Sequence, residues 1–421
     1  MDLPLNRNEP RVMHIDMNSC FATAEQQANP LLRGKPVAVA AYTTGNGCVV
    51  APSVEAKRYG IRVGMNVREA RFLCRDIIVL PPDPPKYRDI HLKFSRLFRE
   101  YSPDVFPKSI DEAVLDFTSM PLQNKSLEDV GSQIKKRIKK EIGDWITVSV
   151  GISTNRFLSK LAASLKKPDG LETVTWQNLE NVYRQVTLVD LCGINTRYQA
   201  RLNAHGIFTP LDFLKSPRDL LVKQVFRSIV GHYWYLRLRG WEIDAVEFGR
   251  KSFGQSYALG QFTSDKKELA RLLMKLTEKM GRRLRRHGYT ASGIHVSVIY
   301  TDYTHWHQGA TFSTEMYTTG ELFKKVMLVF NRRPNQAKKV AKLAVSCFGL
   351  AEKKFVQEEL FRTEKTRQRD ATDAADKIND RFGEFVITPA LMLGMDKLVL
   401  DRIAFGGVKE LEDLYTNSIT T

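Results

Sequence analysis

Two adjacent acids, Asp111 and Glu112, stand in "FPKSIDEAVLDF" (106–117), a run that is otherwise largely apolar. Carboxylates drawn together repel one another unless protons or cations neutralise them. Oxygen donors with no His or Cys beside them in the run suit Mg²⁺ or Mn²⁺ rather than zinc. Neighbours on an extended strand point to opposite faces, so this pair can share a ligand only beside a turn. "DVFPKS" and "EAVLDF" read as the arms of a hairpin, which puts the turn at the pair. A third acid, Asp16, ends the strand-like run "RVMHID" (11–16). If that strand lies beside the hairpin, three carboxylates meet at one sheet edge. Two ions held there would stabilise both the attacking and the leaving oxygens of a phosphoryl displacement. The plainer alternative is that Asp111 caps the turn and Glu112 pairs with a lysine.

The elements that must position these acids follow from periodicity. Behind the first strand, "NSCFATAEQQAN" has helical character, with Asn18 or Ser19 as its N-cap. "KPVAVAAY" (35–42) and "GCVVAPS" (47–53) read as strands, and "VREARFLCRD" (67–76) as a short helix. "PPDPP" (81–85) breaks the pattern. Residues 86–101 then put Ile90, Phe94, Leu97 and Phe98 on one helical face. After the hairpin come a helix (127–143), an alternating strand (146–153) and a further helix (155–167). With 31–80 set aside as an insertion, the order is β-α-β-β-α-β, the ferredoxin-like split βαβ arrangement. The same order recurs between 252 and 350 as a topological echo. A basic helical stretch (176–240) separates the two, and the charged tail from 353 reads as largely flexible.

The chain has 421 residues, which predicts several domains. Lys and Arg number 64 against 47 acids, a formal net charge of +17 that favours a polyanionic partner, nucleic acid first. Five scattered cysteines, Cys20, Cys48, Cys74, Cys192 and Cys347, form no C-x-x-C pair and fit a reducing cytosol. With neither an apolar leader nor a long apolar run, the reading is a cytoplasmic chain with no membrane partner.

"HIDMNSCFATAEQQANPLLRGKPVAV", "SIDEAVLDF", "VSVGISTNRFLSKLAASLKKPDGL" and "LCGINTRYQARLNAHGI" together resemble a Y-family (translesion) DNA polymerase of the DinB/UmuC superfamily. The match runs in order over most of the chain. It implies an α+β multidomain protein: a split βαβ palm (11–30 and 81–175), small fingers (31–80), a helical thumb (176–240), and a linker and βαββαβ little finger (241–352). It implies a template-directed, error-prone polymerase that adds dNTPs to a primer 3′-hydroxyl using two Mg²⁺ ions, for which Mn²⁺ can substitute. Asp16, Asp111 and Glu112 would be catalytic and hold the metals, with Met17 lending a backbone carbonyl.

For the nucleotide, Phe21 stands at the family's steric gate, five positions past Asp16, where a ring excludes a ribose 2′-hydroxyl. Cys20 beside it, Lys57 and Lys167 are the other substrate-binding candidates, and the amides of 18–21 at a helix start would assist. The family's Tyr-x-x-Arg is Val54 and Lys57 here, as in UmuC-type members; lysine keeps charge without a bidentate fork. Gly193, Ile194 and Asn195 stand at the turn of a helix-hairpin-helix that would grip DNA phosphates, with Asn195 tolerating positive φ. The arginines of "GRRLRRHG" (281–288) are further DNA candidates. "QEELF" resembles a clamp-binding peptide, with Gln357, Leu360 and Phe361 as its anchors. Implied partners are primer–template DNA, dNTP, a sliding clamp and accessory subunits. The competing readings are a non-catalytic or partner-dependent DNA-binding protein and a nucleotidyl cyclase on the same palm; the basic charge and helix-hairpin-helix argue against the cyclase.

Overall fold

Strand β1 (Val12–Met17) is buried along its length except at Asp16, as its place inside a sheet requires. The computed structural model describes residues 3–121, 126–246, 249–334, 336–352, 363–396 and 398–399. The chain divides into two units, the first ending at Glu247 and the second beginning at Phe248.

In the first unit β1 is followed by α1 (Cys20–Ala28), β2 (Val37–Ala40), β3 (Val49–Pro52), α2 (Val54–Arg58), α3 (Val67–Leu73), β4 (Ile78–Leu80) and α4 (Pro84–Arg99). Then come β5 (Asp104–Pro107), β6 (Glu112–Asp116), α5 (Leu127–Arg137), β7 (Val148–Ser153), α6 (Arg156–Leu165) and β8 (Leu171–Thr173). The main sheet has the order β5-β6-β1-β7-β8, with β1 antiparallel to both of its neighbours. One face, carrying Met13, Ile15, Leu115 and Val150, is covered by Phe94 and Phe98 of α4 and Ile134 of α5. The other face carries His14 opposite Gly151. A side chain at Gly151 would meet the backbone of Ser159 and Ala163 at 2.0 and 2.2 Å, so the glycine lets α6 lie directly on this face.

Residues 37–80 form their own small sheet, β3-β2-β4, over Ala38, Val49, Ile61 and Ala70. Its third strand, "IVL", was not anticipated; three apolar residues after a turn carry no readable period. Helices α7 (Leu179–Gln185), α8 (Thr196–Asn203), α9 (Pro210–Lys215), α10 (Arg218–Leu220) and α11 (Val230–Leu238) close the unit. They pack around Phe213, Phe226 and Trp234, and against Phe157 and Leu161 of α6.

The second unit contains β9 (Ser252–Thr263), α12 (Lys266–Arg286), β10 (Tyr289–Tyr300), β11 (His305–Met316), α13 (Thr319–Phe330), β12 (Val340–Glu352) and α14 (Glu364–Phe382). Its antiparallel sheet has the order β11-β10-β12-β9. The expected echo of the first sheet holds for element order and fails for pairing. In the first βαββαβ run the first and third strands are central, and here the second and fourth are. Leu272, Leu276 and Val326 from α12 and α13 cover one face.

The tail departs most from expectation. Residues 364–382 form α14, capped by the Thr363 hydroxyl, which accepts from the Thr366 amide. Arg285 makes a bidentate pair with Asp376 at 2.5 and 3.0 Å, Arg282 and Arg286 each donate to Asp380 at 2.8 Å, and the Tyr317 hydroxyl donates to Asp373. Met392, Met395 and Val399 join the apolar core, and Lys275 donates to the carbonyls of Met395 and Leu398. Polar composition suggested a loose tail, whereas these charges meet opposite charges on α12. Gln357, Leu360 and Phe361 lie outside the described residues. No helix among the described residues is long and apolar enough to cross a membrane.

Candidate active site

The site is built where β1 ends against the β5–β6 turn. Asp16 and Glu112 are cross-strand partners, so both project from the face on which α6 lies. At Asp111 the pleat is interrupted: its carbonyl accepts from the Met17 amide at 2.8 Å, and the amides of Lys108 and Ser109 fold back to the Glu112 carbonyl. The turn thus lets adjacent acids serve one region.

Asp16, Met17, Cys20, Phe21, Lys57, Asp111 and Lys167 line one cleft of about 600 Å³. Glu112 faces an adjoining recess of about 470 Å³, bounded also by His14, Lys160, Gly193 and Trp234. The carboxylates therefore stand between two openings.

Each acid is neutralised differently. Lys167 Nζ lies 2.5 Å from Asp16 Oδ1. Lys160 Nζ reaches both oxygens of Glu112 at 2.9 and 2.7 Å, and His14 Nε2 lies 3.1 Å from Oε2. Burial would raise the Glu112 pKa, but the His14 hydrogen bond and the charges of His14 and Lys160 outweigh it and hold it at about 2. Asp111 accepts from the Ser109 hydroxyl. Burial is the largest influence on Asp111 and raises its pKa; the neighbouring charges of Asp16 and Glu112 raise it further. The plainer alternative for these acids is thus also realised in the structure, with a lysine on Glu112 and a turn hydroxyl on Asp111.

The residues fit a divalent ion. Ligand atoms of His14, Asp16 and Glu112 lie within 4.8 Å of one another, and the mutual repulsion felt at Asp111 is what a cation would relieve. The expectation of a site without histidine needs correction. His14 stands two residues before Asp16 on the same strand face, a signal that was present in "HID". Lys160 had no such signal, because its reach to Glu112 depends on how α6 crosses the sheet.

The other predicted residues are positioned by local chemistry. Phe21 stacks on Tyr87 with ring centroids 4.3 Å apart, and the Tyr87 hydroxyl donates to Glu25 at 2.9 Å. Asn18 joins three segments: it donates to Ser149 Oγ and accepts from Thr147 Oγ1 and from the Asp169 amide, which fixes the loop carrying Lys167. Ser19 rather than Asn18 occupies the N-cap of α1, with left-handed backbone and no side-chain capping bond. Cys20 is buried, and burial together with Asp111 and Asp16 raises its thiol pKa well above the ordinary value. Lys57 has its pKa lowered by desolvation and then by Lys167, which brings the two ammonium groups to one cleft.

At the hairpin, Gly193 takes the positive φ of 101°. Asn195 does not: at φ −97° it is an N-cap, accepting from the Tyr198 amide. Ile194 is buried and its amide donates to Leu191, so it is withdrawn from any phosphate. The arginines of 281–288 are likewise engaged within the second unit; Arg282, Arg285 and Arg286 pair with α14, and Arg283 donates to the Gly254 carbonyl.

Fold and site together define a class, an α+β multidomain protein with a polymerase-type fold, an acidic site on its central sheet and a separate antiparallel-sheet domain. Comparison with known proteins gives the family. Residues 15–164 match the impB/mucB/samB family, and residues 250–360 match that family's C-terminal domain. The DNA polymerase IV of Pelotomaculum thermopropionicum is 32% identical over 387 residues, covering 91% of this chain and 95% of that protein. The DNA polymerase IV of Moorella thermoacetica is 33% identical over 390 residues, covering 91% and 96%. Among solved structures, a Y-family DNA polymerase chimera aligns with a TM-score of 0.69 at 24% identity, covering 81% of this chain and 99% of that one. The chain belongs to the impB/mucB/samB family of Y-family DNA polymerases, in the group of the DNA polymerase IV enzymes, which are error-prone translesion polymerases.

Proposed function

We propose that this translesion polymerase joins dNTPs to a primer 3′-hydroxyl at the Asp16–Asp111–Glu112 site, with two Mg²⁺ ions, or Mn²⁺, as cofactors. The observation that carries the reading is the in-register pair Asp16 and Glu112, with Asp111 at the turn between a cleft and a recess. Bound ions would lower the pKa of the primer hydroxyl and offset charge on the triphosphate. Asp16, Asp111, Glu112 and the Met17 carbonyl would hold them.

The remaining steps belong to this chain's own groups. Lys57 and Lys167 bind the triphosphate in the cleft, where Arg58 adds a third cation. Lys57 stands where the family's Tyr-x-x-Arg has its arginine, with Arg58 beside it, so charge is retained where geometry is changed. Phe21, braced by Tyr87, meets the sugar at C2′ and refuses a 2′-hydroxyl by overlap. The primer end approaches Glu112 through the recess, and the turn at Gly193 and Asn195 follows the DNA backbone. In domain terms, the five-stranded sheet serves as palm, residues 31–80 as fingers, 176–240 as thumb and the second unit as little finger. The protein works on DNA in the bacterial cytosol. Residues 357–361 are proposed to reach a sliding clamp, and accessory subunits are proposed as further partners.

Primer extension tests the reading. Wild type should extend a primed template with dNTPs and Mg²⁺, Glu112→Ala should lose extension, and Phe21→Ala should gain use of NTPs. Undiminished extension by Glu112→Ala would remove the carboxylates from the chemistry.

A further inference from the structure

The two sheet-face carboxylates are each held by a lysine, from one helix and the loop that follows it. Lys160, on α6, takes both oxygens of Glu112, and Lys167, just past that helix, takes Asp16. Glu112 then has no oxygen that is not already engaged, since His14 also touches Oε2. A divalent ion brought to Glu112 meets the Lys160 ammonium at the same two oxygens, and like charges a few ångströms apart repel, so binding of the ion favours withdrawal of one of these partners.

The surroundings decide which one. His14 has a side chain 2% exposed and is fixed between strands, whereas the Lys160 side chain is 36% exposed and borders the open recess. An ammonium on a four-carbon stem is a point charge that can swing away without a rearrangement of the backbone. We propose that Lys160 is a resident counter-cation, a positioning residue that keeps Glu112 aimed until a divalent ion takes its place. The inference rests on the reading that these acids bind metal. It adds that metal binding is an exchange of one cation for another, and that the competing cation is built into the protein. Release leaves Lys160 in the recess, where the primer end approaches.

The exchange has a sign that simple support of the site does not have. If Lys160 competes with the metal, removing its charge tightens metal binding; if it only props up Glu112, removing it weakens binding. A guanidinium grips a carboxylate with a fork and is harder to displace, so Lys160→Arg should move the other way.

The test is Mn²⁺ binding to the full chain without DNA, read from the spectroscopic signal of free Mn²⁺. Lys160→Met should bind Mn²⁺ roughly tenfold or more tightly than wild type, the scale expected from taking a unit charge away from a divalent ion a few ångströms off. Lys160→Arg should bind more weakly than wild type. In the Glu112→Gln background, Lys160→Met should bring no gain. A second readout is thermal unfolding in chelator, where Lys160→Met should melt below wild type and recover with Mn²⁺. Equal or weaker Mn²⁺ binding by Lys160→Met, with Glu112→Gln still lowering affinity, would overturn the exchange and leave the metal site standing. If Glu112→Gln and Asp16→Asn bound Mn²⁺ like wild type, the metal reading itself would fall and the exchange with it.

Discussion

Replacing Asp376 by Ala tests whether α14 is part of the second unit. Asp376 makes a bidentate bond to Arg285, whose side chain is 2% exposed, and lies 3.7 Å from Arg282, which is 7% exposed. Removing one partner of a buried ion pair leaves the other charge uncompensated, at about 3–5 kcal/mol. Arg285 would keep the Tyr317 carbonyl, the Thr319 hydroxyl and a distant Glu278. That argues for the lower end, about 3 kcal/mol, or roughly a hundredfold rise in the population of the opened unit. Hydrogen exchange on the amides of β10 and β12 isolates this unit from the rest of the chain. Asp380→Ala is the comparison: Asp380 is 49% exposed, and its loss should cost closer to 1 kcal/mol. A change below about 1 kcal/mol in Asp376→Ala, or protection lost only within α14 itself, would refute the claim that the helix is structural.

Two further outcomes follow from the site. Asn18→Ala removes acceptor and donor from the junction of β1, β7 and the Lys167 loop, and leaves the Asp169 amide without its acceptor. Single-nucleotide insertion should show a dNTP KM raised about tenfold with a smaller fall in kcat, since the loss of one buried hydrogen bond costs about 1–3 kcal/mol; an unchanged KM would separate Lys167 from triphosphate binding. His91 is buried, its Nδ1 lies 2.9 Å from the Ile110 carbonyl beside the site turn, and burial lowers its pKa. A depressed folded value means that the unfolded chain binds the proton first, so this contribution to stability is complete above the ordinary value of about 6.5 and is lost as pH falls through the folded one. Denaturant melts at about pH 7.5 and 5.5 should show wild type losing more stability than His91→Gln; equal losses would mean that His91 is not the group responsible.

Much of the site was legible because its residues are local in sequence. "HID", "SIDEA" and the Asn18–Phe21 helix start each carry a strand end, a turn or a cap, and short-range sterics decide those. The apolar face of 86–101 was readable for the same reason, and it does cover the sheet beneath Ile15. One local reading also needs correction. Asn195 was expected to supply a positive φ, yet it caps α8, because Gly193 two residues earlier already makes the turn.

The sequence by itself determined most of the strands and helices and the acids at strand ends, since 2.0 and 3.6 residue periods and turn chemistry are properties of neighbours in the chain; the short β4 and the tail helix α14 were the exceptions. Tertiary structure alone decided the pairings. Lys160 sits 48 positions from Glu112, and its role depends on Gly151 letting α6 lie against β7. The arginines of α12 looked like a basic patch until α14, 91 positions beyond Arg285 at Asp376, supplied their counter-charges. The second sheet shares its element order with the first but not its strand order, because pairing is settled by which faces bury together. Interactions of this range depend on the path of the whole chain, and no window of sequence contains them.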